Sequence, residues 1–219
     1  AQPMAIRRTV ALSEAVYDGH AEVEDMSARL IDDTSQCNSI WDRGEIPVLV
    51  DPGCECLQTL RPDGLVDAIL AKRNLGTRSS TADIVIALGP GFTAPEDAHA
   101  IIETMRGHNL GRVIFSGAAL PNTGTPGIIA GMGAERVMRA PIAGTVQHHS
   151  SIGDIVQEGS PVFSIGGQAV SAPFTGLLRG LIREGLHVPK GMKTADIDPR
   201  TDSDYNSISD KARCIGGGA

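Results

Sequence analysis

A pattern of prolines and glycines occurs twice in the C-terminal half of the chain, and the two copies are 32 residues apart. Each copy opens with Ala-Pro-x-x-Gly, at residues 140–144 and again at residues 172–176. Three glycines of each copy share one spacing, nine and then six positions: Gly144, Gly153 and Gly159 in the first copy, and Gly176, Gly185 and Gly191 in the second. An internal repeat of this kind constrains a fold more than any local propensity, and it predicts a duplicated, two-fold β unit.

The two copies resemble the halves of a barrel-sandwich hybrid, the fold of biotinyl and lipoyl carrier domains. Those domains carry their cofactor on a lysine at the tip of the hairpin between the copies. Here that hairpin is residues 164–170, which contain no lysine. Gly166-Gly167 predicts a tight primed turn instead. We therefore expect a structural or docking module that carries neither biotin nor lipoate.

Composition excludes several classes of protein. The 219 residues carry a formal net charge of -7, and aromatic residues make up only 3%, so binding to nucleic acid is not expected. No apolar run approaches the roughly 20 residues that span a bilayer, so no membrane association is expected. Four cysteines in a chain this long are not a disulfide framework, which favours a cytoplasmic location.

The sequence before the repeat predicts an α/β domain. Four short apolar runs, at residues 46–50, 65–70, 84–88 and 113–115, are typical of strands in a parallel sheet covered on both faces. We expect a Rossmann-like, mostly parallel sheet over residues 1–137, a barrel-sandwich hybrid module over residues 138–198, and a C-terminal tail over residues 199–219.

Two helices are predicted within the α/β domain. One covers residues 4–18 and ends at Asp18-Gly19. The other follows Gly91, because Thr93 to Glu96 form a capping box. Apolar residues then recur at helical spacing through Met105, at positions 98, 101, 102 and 105. Gly107 would end this second helix.

A ligand site is predicted where the parallel strands end, because open α/β sheets bind ligands outside their carboxyl edge. The residues expected to converge there are Asp51, Lys72, Gly89, Gly91, Phe92, Thr93 and Ser116. Backbone amides of a glycine-rich turn could hold a phosphate or another oxyanion. The alternative is that the glycines only permit a tight turn. No catalytic residue is assigned.

No metal site is predicted from the sequence. His148 and His149 are adjacent on a strand, where their side chains point in opposite directions, and no third ligand is evident. Cys54 and Cys56 could share a soft metal ion, but the preferred interpretation is two half-buried cysteines.

Several segments in this order are similar to the accessory-protein family of the selenium-dependent molybdenum hydroxylase system. These segments are residues 45–52, 66–77, 88–94, 102–114, 121–124 and 209–213. The similarity runs over nearly the whole chain. Family members begin with a strand, a glycine-rich turn and a helix that this chain lacks at its N-terminus, so the resemblance implies an N-terminally truncated Rossmann-like domain.

The resemblance implies a bacterial maturation factor that helps to equip molybdenum hydroxylases with a selenium-containing cofactor. Its partner would be the molybdenum hydroxylase apo-enzyme, and its ligand a molybdopterin-type cofactor or a nucleotide form of it, held at the predicted sheet edge. Two alternatives stay open. The chain is a nucleotidyl- or chalcogen-transferring enzyme that acts on the cofactor, or it is a non-catalytic docking scaffold.

Overall fold

The computed structural model describes residues 2–124 and 127–219, and the chain contacts group them into two compact units. The first unit contains residues 2–52 and 127–207, and the second contains residues 53–124 and 208–219. Within the described residues, no helix is long and apolar enough to cross a membrane. The predicted domain bounds of 1–137, 138–198 and 199–219 stay a prediction.

The fold is mixed α/β and consists mainly of open sheets with few, short helices. The described residues form these strands: β1 His20–Val23, β2 Met26–Ile31, β3 Ile46–Leu49, β4 Gly64–Asp67, β5 Ile84–Leu88, β6 Ala100–Ile102, β7 Val113–Ile114, β8 Val137–Arg139, β9 Gly144–His148, β10 Ile155–Val156, β11 Pro161–Ile165, β12 Gln168–Ser171, β13 Gly176–Leu181, β14 His187–Val188 and β15 Lys193–Asp198. The α-helices are α1 Ala15–Asp18, α2 Cys37–Trp41, α3 Cys56–Leu60 and α4 Asp210–Gly218.

The repeat region folds into two antiparallel four-stranded sheets, in the orders β10-β13-β15-β8 and β12-β11-β9-β14. A shift of 32 residues moves the start of β9 to the start of β13, β10 onto β14, and the start of β11 to the start of β15. The same shift turns the strand order of one sheet into that of the other. The sequence repeat is therefore a repeat of strands, as predicted.

The hairpin between the two copies has the predicted tight turn. Gly166 and Gly167 both have positive φ, 55° and 83°, and Ile165 pairs with Gln168 across them. Two successive positive φ values define a type I′ turn, which matches the twist of the flanking strands.

The largest core of the first unit lies among the strands of the repeat region. Its fully buried side chains include Phe163, Ile165, Leu178 and Ile197. Residues of β11 and β13 are buried almost without a break, so both faces of these two strands are covered. Ile6, from the N-terminal segment, packs against the same cluster.

The N-terminal segment differs from the prediction. Residues 4–18 form two short 3₁₀ turns and then α1, rather than one helix. The end is as predicted, because Gly19 takes φ 76° and its amide donates to the carbonyl of Ala15 at 2.8 Å. Strands β1 and β2 then form an antiparallel hairpin, and β2 pairs in parallel with β3.

The second unit is built on the sheet β4-β5-β6-β7. β4, β5 and β6 run parallel, and β7 is antiparallel to β6. The predicted sheet of four parallel strands was therefore wrong in two respects. The strand at residues 46–50 pairs with β2 in a different sheet of the first unit, and the strand at residues 113–115 runs in the opposite direction.

The predicted helix after Gly91 was also wrong, since residues Ala100–Ile102 form β6. All three residues are buried, and they lie between β5 and β7. The capping residues close only one turn, in which the Asp97 carboxylate accepts from the Thr93 amide at 2.7 Å and the Asp97 amide donates to the Thr93 carbonyl. A short strand buried on both faces has the same apolar content as a buried helix segment, and periodicity does not separate the two.

Candidate functional site

The candidate site lies at the carboxyl edge of the sheet in the second unit. Because β4, β5 and β6 are parallel, the residues after Asp67, Leu88 and Ile102 emerge at the same edge. Ligand sites of open α/β sheets occur at such edges, since side chains and free amides of several loops meet there.

Two glycines let the loop after β5 pack closely against the loops after β4 and β6. Gly89 and Gly91 have positive φ, 80° and 110°. A Cβ atom on Gly89 would lie 2.7 Å from Oγ1 of Thr104, and one on Gly91 would lie 2.6 Å from Cα of Arg73 and 2.8 Å from the carbonyl carbon of Lys72. Gly91 therefore lies against the backbone of Lys72 and Arg73, while Gly89 lies against Thr104.

The carboxylates at this edge are engaged with their own loops. Asp67 is buried, and it accepts from the Ile69 amide at 3.1 Å and from the Thr77 hydroxyl at 2.6 Å. Glu103, which is 3% exposed, accepts from the amides of Met105 at 2.7 Å and Leu120 at 2.8 Å. These bonds hold the loops that surround the edge.

Helix α4 adds a lysine to the edge. The hydroxyl of Ser209 caps the helix by accepting from the Ala212 amide at 3.2 Å. A pair of hydrogen bonds, 2.8 and 3.0 Å long, joins Arg106 to Asp210. Lys211 follows on the first turn of α4.

The surroundings of Lys211 are unfavourable for its positive charge. Partial burial lowers the pKa of Lys211, and the nearby cations Arg106 and Lys72 lower it further, against the opposing effects of Glu103 and Asp210. The cations Arg106 and Lys72 thus both act on the charge of Lys211 at this edge of the sheet. An anion between them would relieve the repulsion, so the chemistry that this arrangement supports is the binding of an oxyanion.

Close backbone packing fixes α4 in this position. A Cβ atom on Gly111 would lie 2.3 Å from the carbonyl oxygen of Cys214, and one on Gly218 would lie 2.2 Å from the carbonyl oxygen of Gly111. Gly111 and Gly218 therefore have a packing role, because they let the backbone of α4 touch the loop before β7.

The other predicted site residues have different surroundings. Phe92 is 4% exposed and packs in the core of the second unit. The Thr93 amide is used by Asp97, and the exposed Ser116 precedes Gly117, which bridges to Ala94. Asp51 follows β3 in the first unit, so the expectation that it ends a strand of the same sheet was wrong.

Sequence reasoning missed Glu103, Asp67 and Lys211. Glu103 lay within the predicted helix after Gly91, and the predicted strand at residues 65–70 continued three residues beyond Asp67. Neither residue was therefore expected at the end of a strand. The signal for Lys211 was Ser209, an N-cap residue that precedes a charged turn and a glycine run. The described residues contain no group of three or more His, Cys, Asp or Glu side chains that could hold a metal ion.

Comparison with known proteins adds one relative. The chain is 52% identical over 218 residues to a protein of Escherichia coli (strain K12) named "Uncharacterized protein YqeB". The alignment covers 99% of this chain and 40% of YqeB, so the chain spans about two fifths of the length of that relative. No protein-family model matches the chain, and no solved structure matches it significantly.

Proposed function

We propose that the carboxyl edge of the second unit binds a phosphate-bearing ligand, a molybdopterin-type cofactor or a nucleotide form of it. The observation that carries this proposal is the partly buried Lys211 on the first turn of α4, whose pKa is lowered by burial first and then by the neighbouring cations Arg106 and Lys72. Asp67 and Glu103 are held by hydrogen bonds within the edge loops. An oxyanion is the ligand that such a group of cations favours.

The biological role that we propose is an accessory one, in the maturation of selenium-dependent molybdenum hydroxylases in the bacterial cytoplasm. Support comes from the resemblance of the segments that form the site, residues 66–77, 88–94, 102–114 and 209–213, to that accessory-protein family. The partner would be the molybdenum hydroxylase apo-enzyme. In fold terms, we propose a Rossmann-like second unit and a barrel-sandwich hybrid for the repeat region.

Calorimetric titration with pyrophosphate, AMP and CTP, and with molybdopterin, tests the binding site directly. We expect Lys211→Ala and Lys72→Ala each to weaken binding about tenfold, the loss of one charge-assisted contact. The matched control is Lys190→Ala, which removes an exposed lysine in the first unit. Binding should also weaken as salt is raised.

Equal affinities of the wild-type protein, Lys72→Ala and Lys211→Ala would contradict the proposed site. The enzyme alternative makes a further prediction, namely that a nucleotide is consumed and that turnover stops in Lys72→Ala. Binding without any chemical change in the ligand, in the presence of the apo-enzyme, would favour the accessory role over the enzyme.

A docking scaffold is favoured by a separate observation in the second unit. One face of the sheet β4-β5-β6-β7 carries apolar side chains that remain exposed, with Val66 at 49% and Ile84 at 58% exposed. The register places them on one face, because Gly64 pairs with Ile84 and Val66 pairs with Ile86. Sedimentation of the protein with a purified apo-enzyme tests this role. Ile84→Lys should abolish the complex, and Asp83→Asn, beside it, should not.

A further inference from the structure

Few side chains hold helix α4 against the rest of the second unit. None of its nine described residues is buried. The half-buried ones, Lys211, Ile215 and Gly218, recur at helical spacing on one face. Of these three residues, only Ile215 has an apolar side chain. Because burial of apolar surface is what holds most helices in place, little of that stabilisation is present in α4.

The polar contact of α4 with the loop beyond β6 lies at the surface. In the ion pair between Arg106 and Asp210, 35% and 63% of the two side chains are exposed, and exposed pairs contribute little to stability. Backbone contacts add to it, since Gly111 packs against the backbone of Cys214 and Gly218. These contacts fix where α4 docks, but they favour the docked position only slightly.

Three successive glycines weaken the helix further. Each glycine inside a helix shifts the equilibrium about fivefold towards the unfolded chain, relative to alanine. Close packing requires Gly218, since a Cβ atom on it would lie 2.2 Å from the carbonyl oxygen of Gly111, whereas Gly216 and Gly217 have open space around them and no positive φ. A helix as short as α4 does not form alone in water, so α4 folds only where it docks.

Lys211 connects this weakly held helix to the proposed ligand. In the docked helix, burial and the cations Arg106 and Lys72 lower the pKa of Lys211, so its charge is less stable there than in water. A bound oxyanion would stabilise that charge in the docked state alone. A ligand shifts a two-state equilibrium towards the state that it contacts better. The anion and the docked helix therefore favour each other.

We propose that α4 is a strap at the carboxyl edge of the second unit, which docks and detaches when no ligand is present and is held docked by an oxyanion bound to Lys211. This inference rests on the proposed function, because the ligand is the phosphate-bearing molecule of that site, and it adds how the site opens and closes. The site is complete only while the strap is docked, since Lys211 lies on the strap. Detachment lets the ligand enter and leave.

Hydrogen exchange of the backbone amides tests the strap, with inorganic pyrophosphate as the probe. The reporters are the amides of Arg213 and Ala219, which donate to the carbonyls of Ser209 and Ile215 at 3.0 and 3.1 Å. Without pyrophosphate, we expect both to exchange roughly a hundredfold faster than the amides of β5, because the strap opens while the sheet stays folded. Pyrophosphate at ten times its Kd should slow both about tenfold and leave β5 unchanged.

Two neighbouring glycine variants form a matched pair. Gly217→Ala meets no neighbour and raises the stability of the helix, so it should slow exchange at Arg213 about fivefold without pyrophosphate. Gly218→Ala would clash with the carbonyl of Gly111. It should therefore remove the protection of α4 and weaken pyrophosphate binding about tenfold, the loss of the contact with Lys211.

The outcomes separate the strap from the proposed site. A calorimetric titration with no heat of binding would overturn the site and the strap together. Binding of pyrophosphate that leaves the exchange of α4 unchanged would overturn the strap alone, and so would α4 amides that exchange as slowly as those of β5 in the free protein. Equal exchange in Gly217→Ala and Gly218→Ala would overturn it as well.

Discussion

A Cβ atom on Gly91 would lie 2.6 Å from the backbone nitrogen and Cα of Arg73, so the two loops touch through their backbones alone. Gly91→Ala should therefore destabilise the second unit by about 2–4 kcal/mol, from left-handed backbone strain together with overpacking. Urea unfolding measures this loss. Gly64→Ala is the control, because Gly64 has open space around it and no positive φ. Equal stability of the two variants would show that the loops do not meet in this way.

Glu103→Gln tests whether the buried carboxylate fixes the loops beyond β6. The two carboxylate oxygens of Glu103 accept hydrogen bonds from the backbone N–H groups of Met105 and Leu120. The NH₂ group of Gln would face one of these N–H groups, so that a donor meets a donor. We expect a loss of about 1–3 kcal/mol in the free energy of unfolding, and faster hydrogen exchange at the Leu120 amide. The exposed Glu96→Gln should change neither quantity. Unchanged exchange at Leu120 would contradict the proposed role of Glu103.

Asp196 joins two cations in the first unit. It accepts from Nη2 of Arg136 at 3.3 Å and from Nη2 of Arg179 at 2.7 Å, and its side chain is 4% exposed. Asp196→Asn would remove the carboxylate that pairs with the buried Arg136, while the half-buried Arg179 keeps its bond to Asp198, so we expect a loss of about 3–5 kcal/mol by thermal or urea unfolding. Asp202→Asn, at an exposed position of the same unit, is the control. A loss no larger than that of the control would mean that water reaches the cluster.

The ion pair between Arg106 and Asp210 predicts a dependence on acid. Hydrogen bonds from Arg106 hold the pKa of Asp210 far below its usual value. The pair therefore adds stability above the ordinary aspartate pKa of about 3.9, and this stability is lost as pH falls towards the folded-state pKa. Wild type should exceed Asp210→Asn by less than about 1 kcal/mol at neutral pH, since the pair is exposed. The difference should shrink in acid, and Asp83→Asn should show no such trend.

Lys211 predicts the opposite dependence, at high pH. Burial and the neighbouring Arg106 and Lys72 lower the pKa of Lys211, so the folded state disfavours the charge that the unfolded state accepts. Lys211→Met should therefore be slightly more stable than wild type at neutral pH. The difference should vanish as pH rises from the lowered pKa to the ordinary lysine value of about 10.4. Lys190→Met is the control, and a Lys211→Met variant that is less stable at every pH would contradict the lowered pKa.

The repeat was predictable because glycine spacing reports turns directly. Gly153, Gly159, Gly185 and Gly191 all have positive φ in the structure, and each lies in a turn that only glycine adopts without strain. The same reasoning located Gly89 and Gly91 at the sheet edge. These features depend on a few consecutive residues, so a sequence contains what is needed to predict them.

Features that depend on distant partners could not be predicted in this way. The apolar residues at 98, 101 and 102 fit a helix, and only the presence of β5 and β7 on either side makes β6 a strand. Asp51 was assigned to the wrong sheet because nothing in residues 46–50 specifies β2 as their neighbour. Lys211 joins an edge formed by residues 67–104, and local sequence does not encode a contact over that separation.

The strand orders of the repeat region have a consequence for its origin and folding. In each sheet, one copy of the pattern supplies the two central strands and the other copy supplies the two outer ones. A single copy would therefore contain the two central strands of one sheet and the two outer strands of the other sheet. Those two outer strands are not neighbours, so they could not pair with each other. A stand-alone copy could complete its sheets only by associating with a second one, so this region has the construction of a symmetric dimer whose two subunits are joined in one chain.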